Sequence, residues 1–512
     1  MAEQVKAGSK SGNMKSLAKD TAIYGLSSIV GRFLNYLLVP LYTAKLAAAS
    51  GGYGIITEIY SYVALLLVLL TFGMETTFFR FVNKEGVAPQ RVYSTTLILV
   101  GTVGLAFVAA VTGFLPQIAA ALDYADHPDF LMMMACVVAL DAFQSIPFAY
   151  LRYRHNAIKF ASLKLLFIVL NIALNLAYFV ALPALYAMPE LHDLIGYIYS
   201  PTYGVGYAFA INLFCTAFIT LFFRKELTGF RYTFDGQLAR RMLSYAWPIL
   251  ILGIAGILNQ TADKMIFPRV VEGHEGKVQL GIYGASVKIA MIMAMITQAF
   301  RYAYEPFVFG KAKDKDNRAT YAAAMKYFII FTLLAFLMVV GYMDILQYII
   351  GSSYREGLRV VPIVMAAEIM MGIYFNLSFW YKLMDKTIWG AVFSGIGCLV
   401  LIAVNVAFIP EYGYMACAWA GFAGYGTAMV LSYFVGQHYY PIKYPLVSIG
   451  VYVGITVLFF CVMQWTAQHI DSVWLRLFIN SGCIVLFIAH TVHYDFPLSN
   501  LPIIGKYFKK KS

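Results

Sequence analysis

Long apolar runs alternate with short polar breaks along the whole chain, and the runs are too long and too unbroken to be the one-sided stripe of a soluble surface helix. A helix needs about 20 mostly apolar residues to cross a hydrocarbon core of roughly 30 Å. Runs that meet this length lie near 21–44, 53–77, 91–115, 129–150, 160–182 and 202–223. After a polar connector from Arg224 to Arg241 they resume near 242–267, 280–308, 322–343, 358–381, 388–409, 414–436, 445–467 and 473–492. The pattern predicts an all-α polytopic membrane protein with fourteen spanning helices, numbered here as spans one to fourteen.

Lysine and arginine sort by loop, and the sorting sets the orientation, because short cytoplasmic loops carry the positive charge. One set of alternate segments holds Lys6, Lys10, Lys15 and Lys19; Arg80, Lys84 and Arg91; Arg152, Arg154, Lys159 and Lys164; Arg224 to Arg241; Lys311 to Arg318; Lys382 and Lys386; Lys443; and the tail lysines from Lys506 to Lys511. The other set holds Lys45, Lys264, Arg269, Lys277, Arg355, Arg359 and Arg476. Both termini are therefore expected in the cytoplasm. The loop between spans seven and eight, with Lys264, Arg269 and Lys277, runs against the trend. The expected organisation is a cytoplasmic tail (1–18), a first lobe of spans one to six (19–223), a connector (224–241), a second lobe of spans seven to twelve (242–438), spans thirteen and fourteen (445–492) and a basic tail (493–512).

Composition agrees with this reading and removes others. Of 512 residues, 61% are hydrophobic and 12% charged, with a mean hydropathy of +0.71, against roughly 25% charged in soluble domains. The net charge of +12 is spread over the inner loops, not gathered on one arm or face, which excludes a nucleic-acid binder. The six cysteines lie in apolar stretches without metal-ligand or secreted-scaffold spacing. They read as packing residues, and neither a metal nor a cofactor is expected. The polar first 18 residues lack a short apolar core with a cleavage site, so span one is expected to stay as an anchor.

A faint internal repeat is present. Span one ends Arg32-Phe-Leu-Asn35-Tyr-Leu-Leu-Val-Pro40, followed by Tyr53-Gly54; span seven ends Gln260-Thr-Ala-Asp263-Lys-Met-Ile-Phe-Pro268, followed by Tyr283-Gly284. Aligning the prolines sets Arg32 over Gln260 and Asn35 over Asp263, each polar pair at i and i+3 on one helix face. Duplicated bundles with a binding site between them are a common transporter plan.

The stretch Gly52-Tyr53-Gly54 through Met74-Glu75 to Phe79-Arg80-Phe81, the Leu151-Arg152-Tyr153-Arg154 loop, and Asn259 to Asp263 followed by Gly281-Ile282-Tyr283-Gly284 resemble a group of bacterial exporters. The group is the polysaccharide-biosynthesis branch of the multidrug, oligosaccharidyl-lipid and polysaccharide exporter superfamily, the Wzx-type flippases. The resemblance implies two lobes around a central cavity, alternating access, and an undecaprenyl-pyrophosphate-linked oligosaccharide turned from the inner to the outer leaflet of the bacterial inner membrane. An ion gradient is the implied drive. Membrane lipids and glycan polymerase or assembly proteins are the implied partners. Arginines on the first and eighth spans line the cavity in lipid-carrier flippases of this superfamily, and Arg32 and Arg301 occupy comparable places.

Ionised side chains inside a bilayer cost roughly 2.5–3.5 kcal/mol each on insertion scales and so mark cavities or partners. The expected cargo contacts are Arg32, Asn35, Lys288, Gln298 and Arg301, since a guanidinium presents a bidentate fork to phosphate oxygens. Gln298, Arg301 and Glu305 share one face of span eight, and Lys288 lies roughly 20 Å away along the axis. The competing readings are a pair of Arg32 with Asp141 or Glu368, an Arg301–Glu305 pair, and a Lys288 that snorkels outward. Asp263 is the candidate ion-coupling carboxylate, with a pair to Lys264 as its alternative; Glu58, Asp141 and Glu368 rank behind it. Asn171 and Asn175 are expected to hydrogen-bond a neighbouring helix.

Two other functions compete. A multidrug cation antiporter would share the fold but needs an acidic cavity. A membrane glycan polymerase or ligase would need a large outer loop carrying its chemistry; the longest outer segment offers only Glu190, His192 and Asp193, and no nucleophile-and-base set or phosphate-cradling glycine loop occurs. The chain is expected not to be an enzyme.

Overall fold

Water is absent from the bilayer core, so each crossing segment must satisfy its own backbone polar groups, and helices do so. The structure, a computed structural model, describes residues 36–83, 88–310, 317–384 and 386–495, with the backbone alone for 302–310 and 317. Among the described residues there are helices, turns and loops but no strand. Eleven helices are long and apolar enough to cross a membrane. The other three expected stretches are also helical where they are described: the end of span one (Leu38–Lys45), Gly206–Leu221 and Tyr414–Tyr439.

Local chemistry sets the ends. Asp235 caps span seven (Gly236–Val270), its Oδ1 accepting from the Leu238 amide at 2.9 Å. Asn156 and Ser472 do the same for Ala157–Leu176 and Val473–Tyr494, and such caps satisfy amides that no helical carbonyl reaches. Span two breaks at Phe72 and Gly73, both left-handed, and continues as Met74–Val82. Span five passes through a single π-helical stretch, Ala177–Ala181.

The chain separates into two compact units, Met1–Gly281 and Ile282–Ser512. The sequence places the lobe boundary in the 224–241 connector, whereas the units part within the long helix Gly273–Gly310. The reason is visible in the first unit's core. Leu238, Met242 and Ala246 at the start of span seven are buried with Phe78, Val92, Tyr93, Leu97, Val138 and Ile146 of spans two to four. The connector is strapped down as well: the Thr233 amide donates to Ser94 Oγ at 2.8 Å, and Lys159 pairs with Glu226 at 2.6 Å.

Within the first unit, span two and the start of the long helix meet almost backbone to backbone. A β-carbon on Gly54 would lie 1.8 Å from the Lys277 carbonyl oxygen, so only glycine fits there. Tyr42, at the end of span one, donates its hydroxyl to Asn175 Oδ1 at 2.7 Å, while Asn175 Nδ2 donates to the Asn171 carbonyl. The asparagine pair thus joins two helices.

In the second unit, spans eleven and twelve (Ile388–Tyr412 and Tyr414–Tyr439) approach through glycines. A β-carbon on Gly397 would sit 2.8 Å from the Gly424 carbonyl oxygen, and one on Gly424 2.7 Å from that of Gly397. Small residues drive such close helix contacts in membranes, where no water is expelled by association. Spans thirteen and fourteen (Leu446–His469 and Val473–Tyr494) pack on span nine (Asn317–Gly341). Asn480 Nδ2 donates to the Gly341 carbonyl at 2.9 Å, and Asp344 takes a two-point contact from Arg476 at 2.8 and 3.0 Å.

Candidate functional site

Span eight carries three of the expected cargo contacts. Lys288 and Gln298 are half-buried and Arg301 is exposed. The Arg301 guanidinium lies over the Phe375 ring, 4.8 Å from its centroid, an arrangement in which the ring's negative face attracts the cation. Arg301 lines a narrow cleft with Thr297 and Phe300 of its own helix, Phe328 of span nine, and Gly372, Phe375, Asn376, Phe379 and Lys382 of span ten and its C-terminal end.

Two buried polar atoms line this cleft with no hydrogen-bond partner, Thr297 Oγ1 and Asn376 Oδ1. Such orphaned groups cost free energy unless a ligand or water completes them. The space is about 10 Å³, room for a single water. Lys382 lies over the Phe379 ring at 5.1 Å. Among the described residues the lining thus has two cations, two unpaired polar atoms and no carboxylate, a chemistry suited to an anionic oxygen.

Arg32 and Asn35 lie outside the described residues. Asp263 is buried in the first unit, where the Lys264 ammonium donates to both of its carboxylate oxygens at 3.0 Å and to the Gln260 carbonyl at 3.0 Å. The structure therefore places Asp263 beside a cation, the arrangement its alternative reading describes. Asp141 lies within electrostatic reach of Lys164. Between spans four and five, Arg152 pairs with Glu75 and Lys159 with Glu226.

All three cations that run against the charge trend are neutralised. Besides Lys264, Arg269 donates to Glu58 at 3.0 Å, and Lys277 pairs with Asp123 at 3.0 Å. Glu58 is fully buried and also accepts from the Tyr124 hydroxyl at 2.7 Å. These pairs explain how the turn between spans seven and eight tolerates its charge.

Sequence reading passed over Thr297, Asn376 and Lys382. Thr297 stands one helical turn before Arg301, on the same face, which is a signal available from spacing. Asn376 and Lys382 come from another helix, and only the packing joins them to it.

A family model described as polysaccharide biosynthesis protein matches residues 17–306, more than half of the chain. The chain belongs to the polysaccharide biosynthesis protein family. No curated protein matches it. Among solved structures, the lipid II flippase MurJ in an inward closed conformation is similar, with 13% identity, a TM-score of 0.70, and 92% of this chain and 98% of that chain covered. An inward-facing multidrug resistance MATE family transporter of the MOP superfamily has 14% identity, a TM-score of 0.61, and 82% and 97% coverage. The MATE multidrug transporter DinF-BH has 17% identity, a TM-score of 0.56, and 82% and 95% coverage. At these identities the likeness is one of fold. This member of the family is a multi-pass, all-helical membrane protein with the fold of the MOP exporters.

Proposed function

We propose that this family member is a transporter that moves an undecaprenyl-pyrophosphate-linked oligosaccharide repeat unit, the precursor of a surface polysaccharide, from the inner to the outer leaflet of the bacterial inner membrane. Family membership is the observation that carries the reading. The cleft beside Arg301 supports it. A guanidinium and an ammonium at the inner end of the second unit suit a pyrophosphate headgroup taken from the cytoplasmic leaflet, and the hydroxyl of Thr297 adds a neutral donor.

Alternating access driven by an ion gradient completes the proposal, with Asp263 as the coupling candidate. Glycan polymerase or assembly proteins are the proposed partners.

The MATE likeness keeps export of cationic drugs as the competing reading. An organic cation gains nothing from a cleft with two cations and no acid among its described lining residues. Deletion of the gene separates the two. Loss of surface glycan with lipid-linked repeat units accumulating on the inner leaflet supports the flippase; unchanged glycan with heightened drug sensitivity supports the antiporter.

A further inference from the structure

The segment between spans five and six is the longest outer segment, and the site described above does not use it. No lysine or arginine occurs between Lys164 and Arg224, and Glu190 and Asp193 are the segment's carboxylates. Its aromatic rings form one continuous row with Tyr178 at the end of span five and Tyr207 at the start of span six. Tyr178 meets Tyr207 at 4.9 Å between centroids, Tyr207 stacks on Tyr199 at 5.5 Å with planes 15° apart, Tyr199 meets Tyr186 edge-on at 5.7 Å, and Tyr186 lies 4.1 Å from His192.

The row is held from below. Tyr207 accepts from the Ser200 amide at 2.6 Å, and Tyr203 donates to Asp129 at 2.7 Å, which ties the segment to span four. Tyr178 lies in the π-helical stretch Ala177–Ala181, an irregularity that recurs at functional sites. Beyond the row, Tyr197 is 88% exposed.

We infer that this row is a carbohydrate platform, which takes the glycan of the cargo by stacking on its sugar rings. The inference rests on the transporter reading of the preceding section. The C–H face of a pyranose is apolar and weakly positive, and it complements the negative face of a phenol ring. Ser200 bonds both Tyr207 and Thr202, and Asp193 follows His192 in the chain, so acceptors and donors for sugar hydroxyls adjoin the row. Burial and the neighbouring phenols of Tyr207 and Tyr186 push the Tyr199 hydroxyl up from its ordinary value, so it stays a donor. Tyrosines of an interfacial belt act singly, each ring in the lipid and its hydroxyl among the headgroups. Here the rings pack on one another, and a segment without lysine or arginine has nothing to attract anionic headgroups.

The test uses the full chain in nanodiscs and, as probe, the lipid-free repeat-unit oligosaccharide released by mild acid from the surface glycan of the source organism. Saturation-transfer NMR should show contact at sugar C–H protons. Binding should weaken roughly tenfold in Tyr199→Ala and stay near wild type in Tyr199→Phe, since the ring and not the hydroxyl does the stacking. Equal binding by wild type and Tyr199→Ala overturns the platform. So does a Tyr197→Trp reporter that is quenched by bromolipid and silent to the oligosaccharide, the mark of a membrane belt. A deletion strain that loses its glycan while the purified chain ignores the probe overturns the platform and keeps the transporter. Probe binding with an intact glycan in the deletion strain overturns the transporter and keeps the platform.

Discussion

Arg269, at the end of span seven, donates to the carboxylate of Glu58, 211 residues earlier on span two, at 3.0 Å. Glu58 is fully buried, and Arg269 also reaches the Ala121 and Leu122 carbonyls at 2.7 and 3.3 Å. One guanidinium therefore ties span two, span seven and the loop before span four together. Arg269→Ala takes from a buried carboxylate its guanidinium partner and should destabilise the chain by about 3 kcal/mol. Glu58→Gln keeps an acceptor and should cost about 1 kcal/mol. Thermal unfolding of both variants and of the double variant checks this, and the double variant should lose less than the two losses added.

Gly424→Leu should abolish accumulation of the protein in membranes. The added side chain would start 2.7 Å from the Gly397 carbonyl oxygen, and backbone on the facing helix cannot step aside as a side-chain tip can. Immunoblots of membrane fractions should show Gly424→Leu nearly absent, while Gly454→Leu, where a β-carbon meets open space, stays at the wild-type level.

Asp495, just past span fourteen, is held below the usual carboxylate range. Burial alone would raise it, but hydrogen bonds from Lys326 and Tyr452 and the charge of Lys326 outweigh burial. A depressed folded value means that the stabilisation is present above the unfolded value of about 3.9 and is lost as pH falls through the folded one. Melting temperature should fall as pH drops below about 4, and Asp495→Asn should be less stable at neutral pH and flatter over that acid window. A variant with the full acid sensitivity of the wild type would assign the effect to other carboxylates.

Span positions were readable in the sequence because a bilayer imposes one length and one polarity on every crossing segment. Arg301 stood out as a candidate because a guanidinium in an apolar run needs a reason to be there. The Asp263–Lys264 contact was readable as an alternative because the two are neighbours in the chain, and the Lys264 side chain is long enough to fold back onto the carboxylate. Asn376 and Lys382 joined Arg301 only through helix packing, as did Arg269 with Glu58, and no local spacing encodes such partners. The break at Gly73 and the π-helical stretch in span five likewise depend on neighbours.

Arg301→Ala should reduce surface glycan by about tenfold or more with protein abundance unchanged, because it removes the planar fork that a phosphate needs. Arg301→Lys should restore only part. Lys382→Ala and Thr297→Val should give smaller losses in the same assay. Arg32→Ala is expected to abolish export if its guanidinium meets the cargo. Asp263→Asn should leave cargo binding intact and make export insensitive to the ion gradient.

Flipping in proteoliposomes tests the central claim most directly. The purified chain is reconstituted with a fluorescent undecaprenyl-pyrophosphate-linked oligosaccharide in one leaflet, and exposure of the glycan to an enzyme on the opposite side is followed over time. The account predicts rapid exposure with the wild-type chain and slow exposure with Arg301→Ala. Equal, slow exposure in empty liposomes and in those holding the wild-type chain, with and without proton or sodium gradients, would contradict it.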